Sequence, residues 1–209
     1  MRVAGLIAAI CLAGTAQAQT PPSAYEAVDP FIGTLGKGHT FPGAVAPFGM
    51  VQLSPDTDYR HFRQSYDWAS GYRSDDPTIM GFSHTHFSGT GHSDLGDVLL
   101  TPISGEVRWD VGDPDQPGSG YRSRYDKASE RAEPGYYAVR LTDNAVEAEL
   151  TAGVRTGVHR YRFAEGRPAR VLLDLRHSIY DYPGKVLWSR IRVHPDGTVT
   201  GFRETRGWA

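Results

Sequence analysis

The sequence predicts an all-β protein, most simply a large antiparallel β-sandwich. Three observations carry this. About ten short runs alternate apolar with polar residues, or are rich in Val, Ile, Leu, Tyr and Phe, and turn residues bound each one. The chain has 24 glycines and 14 prolines, which break it too often for long helices. No stretch of useful length repeats its apolar residues with a helical period. A strand that is apolar on one face must bury that face, and a second sheet is the simplest cover.

The elements follow in order. Prolines at 30, 42, 47 and 55 exclude a long helix from 28–57, where 50–53 is a short strand candidate. Residues 79–84, 97–102 and 106–109 are the next candidates. Gly112, Pro114, Pro117, Gly118 and Gly120 make 110–125 an excursion or long loop. Runs 136–142 and 145–152 flank Asp143-Asn144, a plausible tight hairpin turn. In the second of these, Val146, Ala148 and Leu150 share one face, and Glu147 and Glu149 the other. Strands at 154–163 and 169–175 come next. Strands at 186–193 and 198–204 then flank a Pro195-Asp196-Gly197 turn.

The N-terminus reads as an export signal. Met1-Arg2 opens an apolar run, and Ala16-Gln17-Ala18 is a small-x-small cleavage site, so residues 1–18 form a signal peptide cut after Ala18. The run is too short to span a bilayer as a mature helix. Cys11, the single cysteine, lies inside it, so the mature chain has no disulfide or thiol chemistry. Residues 19–24 are a short tail, and 25–209 form one domain. The expected location is periplasmic or secreted, with no membrane contact after cleavage. The chain stops just after a strand candidate, which reads as a piece of something longer. The formal net charge is −2, and loss of Arg2 makes it −3. Such a balance argues against a nucleic-acid partner.

Residues 81–97, GFSHTHFSGTGHSDLGD, hold the densest chemistry. His84 and His86 are two apart and would share a face of an extended strand. The Gly/Ser/Thr-rich run after them favours a loop. With His92, Asp94 and Asp97 they could bind zinc or iron, or simply line a polar pocket. A small metal-dependent hydrolase using His84, His86 and Asp94 is therefore one reading. Gly36-Lys37-Gly38-His39-Thr40 lacks phosphate-loop spacing and better suits a tight loop offering backbone N–H groups and His39 to a polar ligand. Trp68 and Tyr72 lie in an aromatic segment, and Trp68 could stack on the apolar face of a sugar. No pair of carboxylates stands out as acid and base, and Ser88 and Ser93 lack a nucleophile-elbow context.

Longer blocks resemble a known family. VDPFIGTLGKGHTFPGAVAPFGMVQLSPDT at 28–57, GFSHTHFSGTG at 81–91, KASERAEPGYY at 127–137 and AELTAGVRTGVHRYRF at 148–163 are similar to the start of the glycoside hydrolase family 92 α-mannosidases. So is 169–175, and the resemblance runs from about residue 25 onward. It implies a galactose-mutarotase-like supersandwich as the N-terminal domain of a secreted, calcium-dependent, inverting exo-α-mannosidase acting on N-glycan-type α-mannosides. It also implies that the general acid, the general base and most calcium contacts belong to a C-terminal (α/α)6 domain absent from these residues. The sandwich would then contribute substrate-binding loops: Gly36, His39 and Thr40 in the first, and His84, His86, Thr90 and Asp94 in the second, with Trp68 beside them. The 209 residues alone would be inactive. A stand-alone carbohydrate-binding module is the alternative.

Overall fold

A computed structural model describes residues 22–36, 38–57, 70–89, 95–179 and 183–207. The predicted leader and residues 19–21 of the predicted tail lie outside them. The described residues form strands and no helix. The strands are β1 (Ala44–Val45), β2 (Gln52–Asp56), β3 (Thr78–Ile79), β4 (Gly81–Ser83), β5 (Leu99–Ser104), β6 (Ser123–Glu133), β7 (Tyr136–Leu141), β8 (Val146–Ala152), β9 (Gly157–Phe163), β10 (Ala169–Asp174), β11 (Val186–Val193) and β12 (Val199–Thr205). One five-stranded sheet has the order β1-β2-β4-β5-β10 and the other β3-β6-β7-β8-β9, with β11-β12 as a separate ribbon. Every pairing is antiparallel. The expected all-β sandwich is the fold.

The core lies between the two five-stranded sheets. Leu53 and Phe82 come from the first, and Ile79, Tyr125, Tyr137, Val139, Leu141, Ala148 and Leu150 from the second. The alternation read in β8 holds: Val146, Ala148 and Leu150 are buried and Glu147 is exposed. Phe82 sits with its ring centroid 6.5 Å from that of Tyr137 and 6.2 Å from that of Tyr161. Buried tyrosines need partners for their hydroxyls. Tyr72 and Tyr137 both donate to Glu130 Oε1, at 2.7 and 2.6 Å. Burial raises the Glu130 pKa, opposed by these two hydrogen bonds.

Three expectations differ from the fold. The run 79–84 is not one strand. Thr78–Ile79 pairs with β6 in one sheet and Gly81–Ser83 with β2 in the other, and the chain crosses at Met80. Gly81 permits this, because a Cβ there would meet Thr101 Oγ1 at 2.4 Å. Strand β6 was hidden inside the predicted excursion and the polar run after it. Its register shifts between Asp126 and Arg131, so the sequence SRYDKASERAE never shows a clean period of two. Residues 106–109 form no strand. Instead Val107, with Val111, covers a second cluster of Met80, Leu99, Ile103, Tyr121 and Leu172.

The Asp143-Asn144 turn is real but longer than two residues, since Leu141 pairs with Val146. Ser123 Oγ accepts from the backbone of both turn residues, and Asn144 Nδ2 donates to the Tyr121 carbonyl. The turn is therefore specified by the neighbouring strand as well as by its own residues.

Phe82 of the first sheet packs across the core on Tyr137 and Tyr161 of the second, so Phe82→Ala leaves a cavity between the sheets. A loss of about 3–5 kcal/mol in urea unfolding is expected. Val158 on the exposed edge is 50% exposed, and Val158→Thr should change stability by no more than about 0.5 kcal/mol.

Candidate functional site

The two loops singled out in the sequence meet. Gly33 and Gly38 let the first loop fold back on itself. Gly33 has φ +79, and a Cβ on Gly38 would lie 1.9 Å from the Gly33 carbonyl oxygen. Thr40 closes the turn, its hydroxyl donating to the Ile32 carbonyl at 2.7 Å and its N–H to the Gly33 carbonyl at 3.3 Å. His39 then takes a left-handed conformation, φ 54, unusual for a side chain with a Cβ. Its carbonyl accepts the Gly89 N–H at 2.8 Å, which ties the first loop to the second. The His39 ring is buried, and its Nδ1 has no hydrogen-bond partner. Gly36 stands exposed on the same loop.

A buried carboxylate supports the second loop. Asp56, at the end of β2, has no exposed surface. His86 Nε2 donates to its Oδ1 at 2.9 Å, and His177 Nε2 donates to its Oδ2 at 3.2 Å. His86 Nδ1 faces the Gln52 carbonyl at 2.8 Å, so both nitrogens of His86 act as donors. Burial pushes the Asp56 carboxyl upward, but the two imidazoles outweigh it and hold the group far below the usual carboxylate range. Gly71, φ +79, crosses directly over this cluster, and a Cβ there would lie 2.5 Å from Asp56 Oδ1. The Phe41 ring packs on His86 with centroids 5.1 Å apart.

The same cluster reaches the last strand. Arg203 of β12 donates to the His177 carbonyl at 2.6 Å and pairs with Asp97 at 3.1 Å. Asp97 also accepts from the Thr85 hydroxyl at 2.7 Å, inside the second loop.

His84 and His86 do not share a face as expected. The strand ends at Ser83, and past it the two rings part. His86, expected to bind substrate, points inward to Asp56 and is only 1% exposed, so its ring is not presented at the surface. His84 stays half-buried at the surface, with Nδ1 2.7 Å from the Val98 carbonyl and Nε2 3.1 Å from Nε2 of His159. Both nitrogens of His86 are engaged inside the protein, so the described geometry does not bring its ring and that of His84 onto one ion. Among the described residues no group of three or more His, Cys, Asp or Glu is placed to hold a metal. Trp68, His92, Thr90 and Asp94 lie outside the described residues. Sequence reasoning missed Asp56, His177 and His159. The alternation of β9 was the available signal for His159, because it sets that ring on the face shared by Gly157 and Tyr161.

Turning the Asp56 carboxylate into an amide leaves one acceptor oxygen for two imidazole donors in a dry interior. Asp56→Asn should cost about 3–5 kcal/mol of stability at neutral pH, measured by chemical denaturation. The folded carboxyl titrates below the unfolded one, so its contribution is complete above the unfolded value and is lost as the pH falls through the folded value. The gap between the wild type and Asp56→Asn should therefore hold down to roughly pH 4 and shrink below it.

The family model described as "Glycosyl hydrolase family 92 N-terminal domain" matches residues 27–209. A family GH92 α-mannosidase from Bacteroides thetaiotaomicron, solved in complex with mannoimidazole, superposes with a TM-score of 0.79 at 46% identity, covering 87% of this chain and 23% of that one. The GH92 family glycosyl hydrolase ccman5 gives a TM-score of 0.67 at 29% identity, covering 87% of this chain and 24% of that one. An uncharacterized secreted glycosidase of Arthroderma benhamiae is 29% identical over 188 residues, which are 84% of this chain and 23% of that protein. The chain thus spans about a quarter of the length of these relatives. With the β-sandwich and its two joined loops, this match shows that the chain belongs to glycosyl hydrolase family 92, as its N-terminal domain.

Proposed function

We propose that this chain is the mannoside-facing domain of a secreted, inverting exo-α-mannosidase acting on N-glycan-type α-mannosides. The observation that carries this reading is His39. It is a buried ring in a left-handed backbone conformation, with an unpartnered Nδ1, at the junction of the two loops. A strained, unsatisfied polar side chain persists where a ligand or an ordered water completes it. The family match and the mannoimidazole bound by a relative supply the class of ligand.

In this reading Gly36, His39, Thr40 and His84 belong to the described part of the sugar site, and His86 holds its loop from behind. Trp68, Thr90 and Asp94 belong to it through motif resemblance. The chemistry needs two further carboxylates, one protonated to assist the departing glycosidic oxygen and one to activate water on the opposite face. A C-terminal (α/α)6 domain is proposed to supply both. Calcium enters this reading through the family resemblance. The described residues of this chain do not build a cage for it, so none of the roles assigned here runs through the ion. The sandwich orients the sugar, and misplacement by ~1 Å can cost ~100-fold in rate.

Two measurements test the proposal. His39→Ala in the longer protein should weaken α-mannoside binding by about 5–30-fold, the worth of one buried hydrogen bond of roughly 1–2 kcal/mol. An unchanged dissociation constant by calorimetry counts against the site. Purified residues 19–209 should show no mannoside turnover, and measurable hydrolysis would place the acid and base within this chain.

A further inference from the structure

One half-exposed ring at the site is fixed more firmly than packing alone requires. Backbone bonds already pin His84, whose N–H donates to the Asp97 carbonyl at 2.9 Å and whose carbonyl accepts from Gln52 at 3.0 Å. Its imidazole is then held from three sides. Val98 aims its carbonyl at Nδ1 from a left-handed conformation, φ 59, which is costly for a β-branched residue. Gly157 lies under the ring, where a Cβ would come within 2.8 Å of His84 Cδ2. His159 meets Nε2 from β9, on the opposite sheet, and Tyr161 meets His159 Nδ1 at 2.6 Å.

The proton positions along this chain follow from one end. The Val98 carbonyl can only accept, so His84 Nδ1 carries the hydrogen. In the neutral ring Nε2 is then a lone pair, so His159 must donate to it from its own Nε2. That leaves His159 Nδ1 as an acceptor for the Tyr161 hydroxyl. The sequence Tyr161 O–H, His159, His84, Val98 carbonyl is satisfied throughout with both imidazoles uncharged. Burial, and then the neighbouring His84, push the His159 pKa down to about 4. Burial likewise lowers that of His84, opposed by the Val98 carbonyl.

We infer that His159 and Tyr161 are positioning residues, which hold His84 in one orientation as its Nδ1–H tautomer. With both nitrogens engaged, His84 meets a ligand with its ring face and C–H edge, not with a donor or acceptor nitrogen. A pyranose has apolar C–H faces that suit such a surface. What His84 meets rests on the mannoside reading above, whereas what holds His84 rests on hydrogen-bond geometry alone.

The test has two independent arms. Nitrogen-15 spectra of the imidazoles should show hydrogen on Nδ1 of His84 and on Nε2 of His159. Tyr161→Phe and His159→Phe should both shift the His84 signals. Hydrogen on Nε2 of His84, or His84 signals indifferent to both substitutions, overturns the inference. In the longer protein His159→Phe should raise KM for an α-mannoside about tenfold at nearly constant kcat, and His159→Gln, which keeps an N–H donor, should restore most of it. An unchanged KM in His159→Phe overturns the positioning role. If the spectra are as stated and the wild type binds no mannoside, the positioning stands and the proposed substrate fails.

Discussion

The Asp56 carboxylate, sealed from water and shared by two imidazoles, is the interaction on which the rest of the site depends. A lone carboxylate could not stay ionised there, since desolvation would drive it to protonate. Donors from His86 and His177 reverse that preference. In return the charge fixes three distant pieces of chain: the end of β2, the loop after β4 and the segment before β11. Gly71 and Gly96 admit the cluster by having no Cβ, which would lie 2.5 Å from Asp56 Oδ1 at the first and 2.7 Å from the Ile179 nitrogen at the second. Arg203 extends the grip to β12 through the His177 carbonyl and Asp97. Buried ion pairs of this kind seldom add net stability over an apolar core of the same shape. What this one supplies is a single geometry for loops that have little apolar side chain of their own.

The site is therefore layered. Close backbone approaches at Gly33 and Gly38 shape the first loop, and the Gly89 N–H locks it to the second. Behind them sits the charged cluster, with the Phe41 ring packed on His86. Beside them His159 and Tyr161 reach across from the second sheet to His84. Both sheets of the sandwich thus take part in holding one short polar segment. Side chains already fixed by such contacts have less freedom to lose when a ligand binds, which reduces the ordering cost.

Much of the fold was legible because most strands obey the rule that makes them strands. Val146, Ala148 and Leu150 alternate with charged residues, and that pattern alone sends one face inward. Strand β6 was not legible, because its register shift between Asp126 and Arg131 erases the period. Residues 79–84 looked like one strand because apolar character does not tell which sheet a residue joins. For the site, the glycine-rich loops and their histidines were visible as composition. Which of their rings turns outward and which turns into the core was not. His84 and His86 are the same residue type two positions apart, and only the end of the strand at Ser83 sends one ring outward and the other into the core.

The sequence by itself determined the all-β class, the position of the loops that matter and the family to which the chain belongs, since these follow from local periodicity and from contiguous motifs. Tertiary structure alone decided which polar groups meet. Asp56 and His177 are 121 positions apart, and His84 and His159 are 75 apart. Their chemistry arises from the packing of two sheets, because a hydrogen bond at about 3 Å records proximity in space, to which order along the chain is blind.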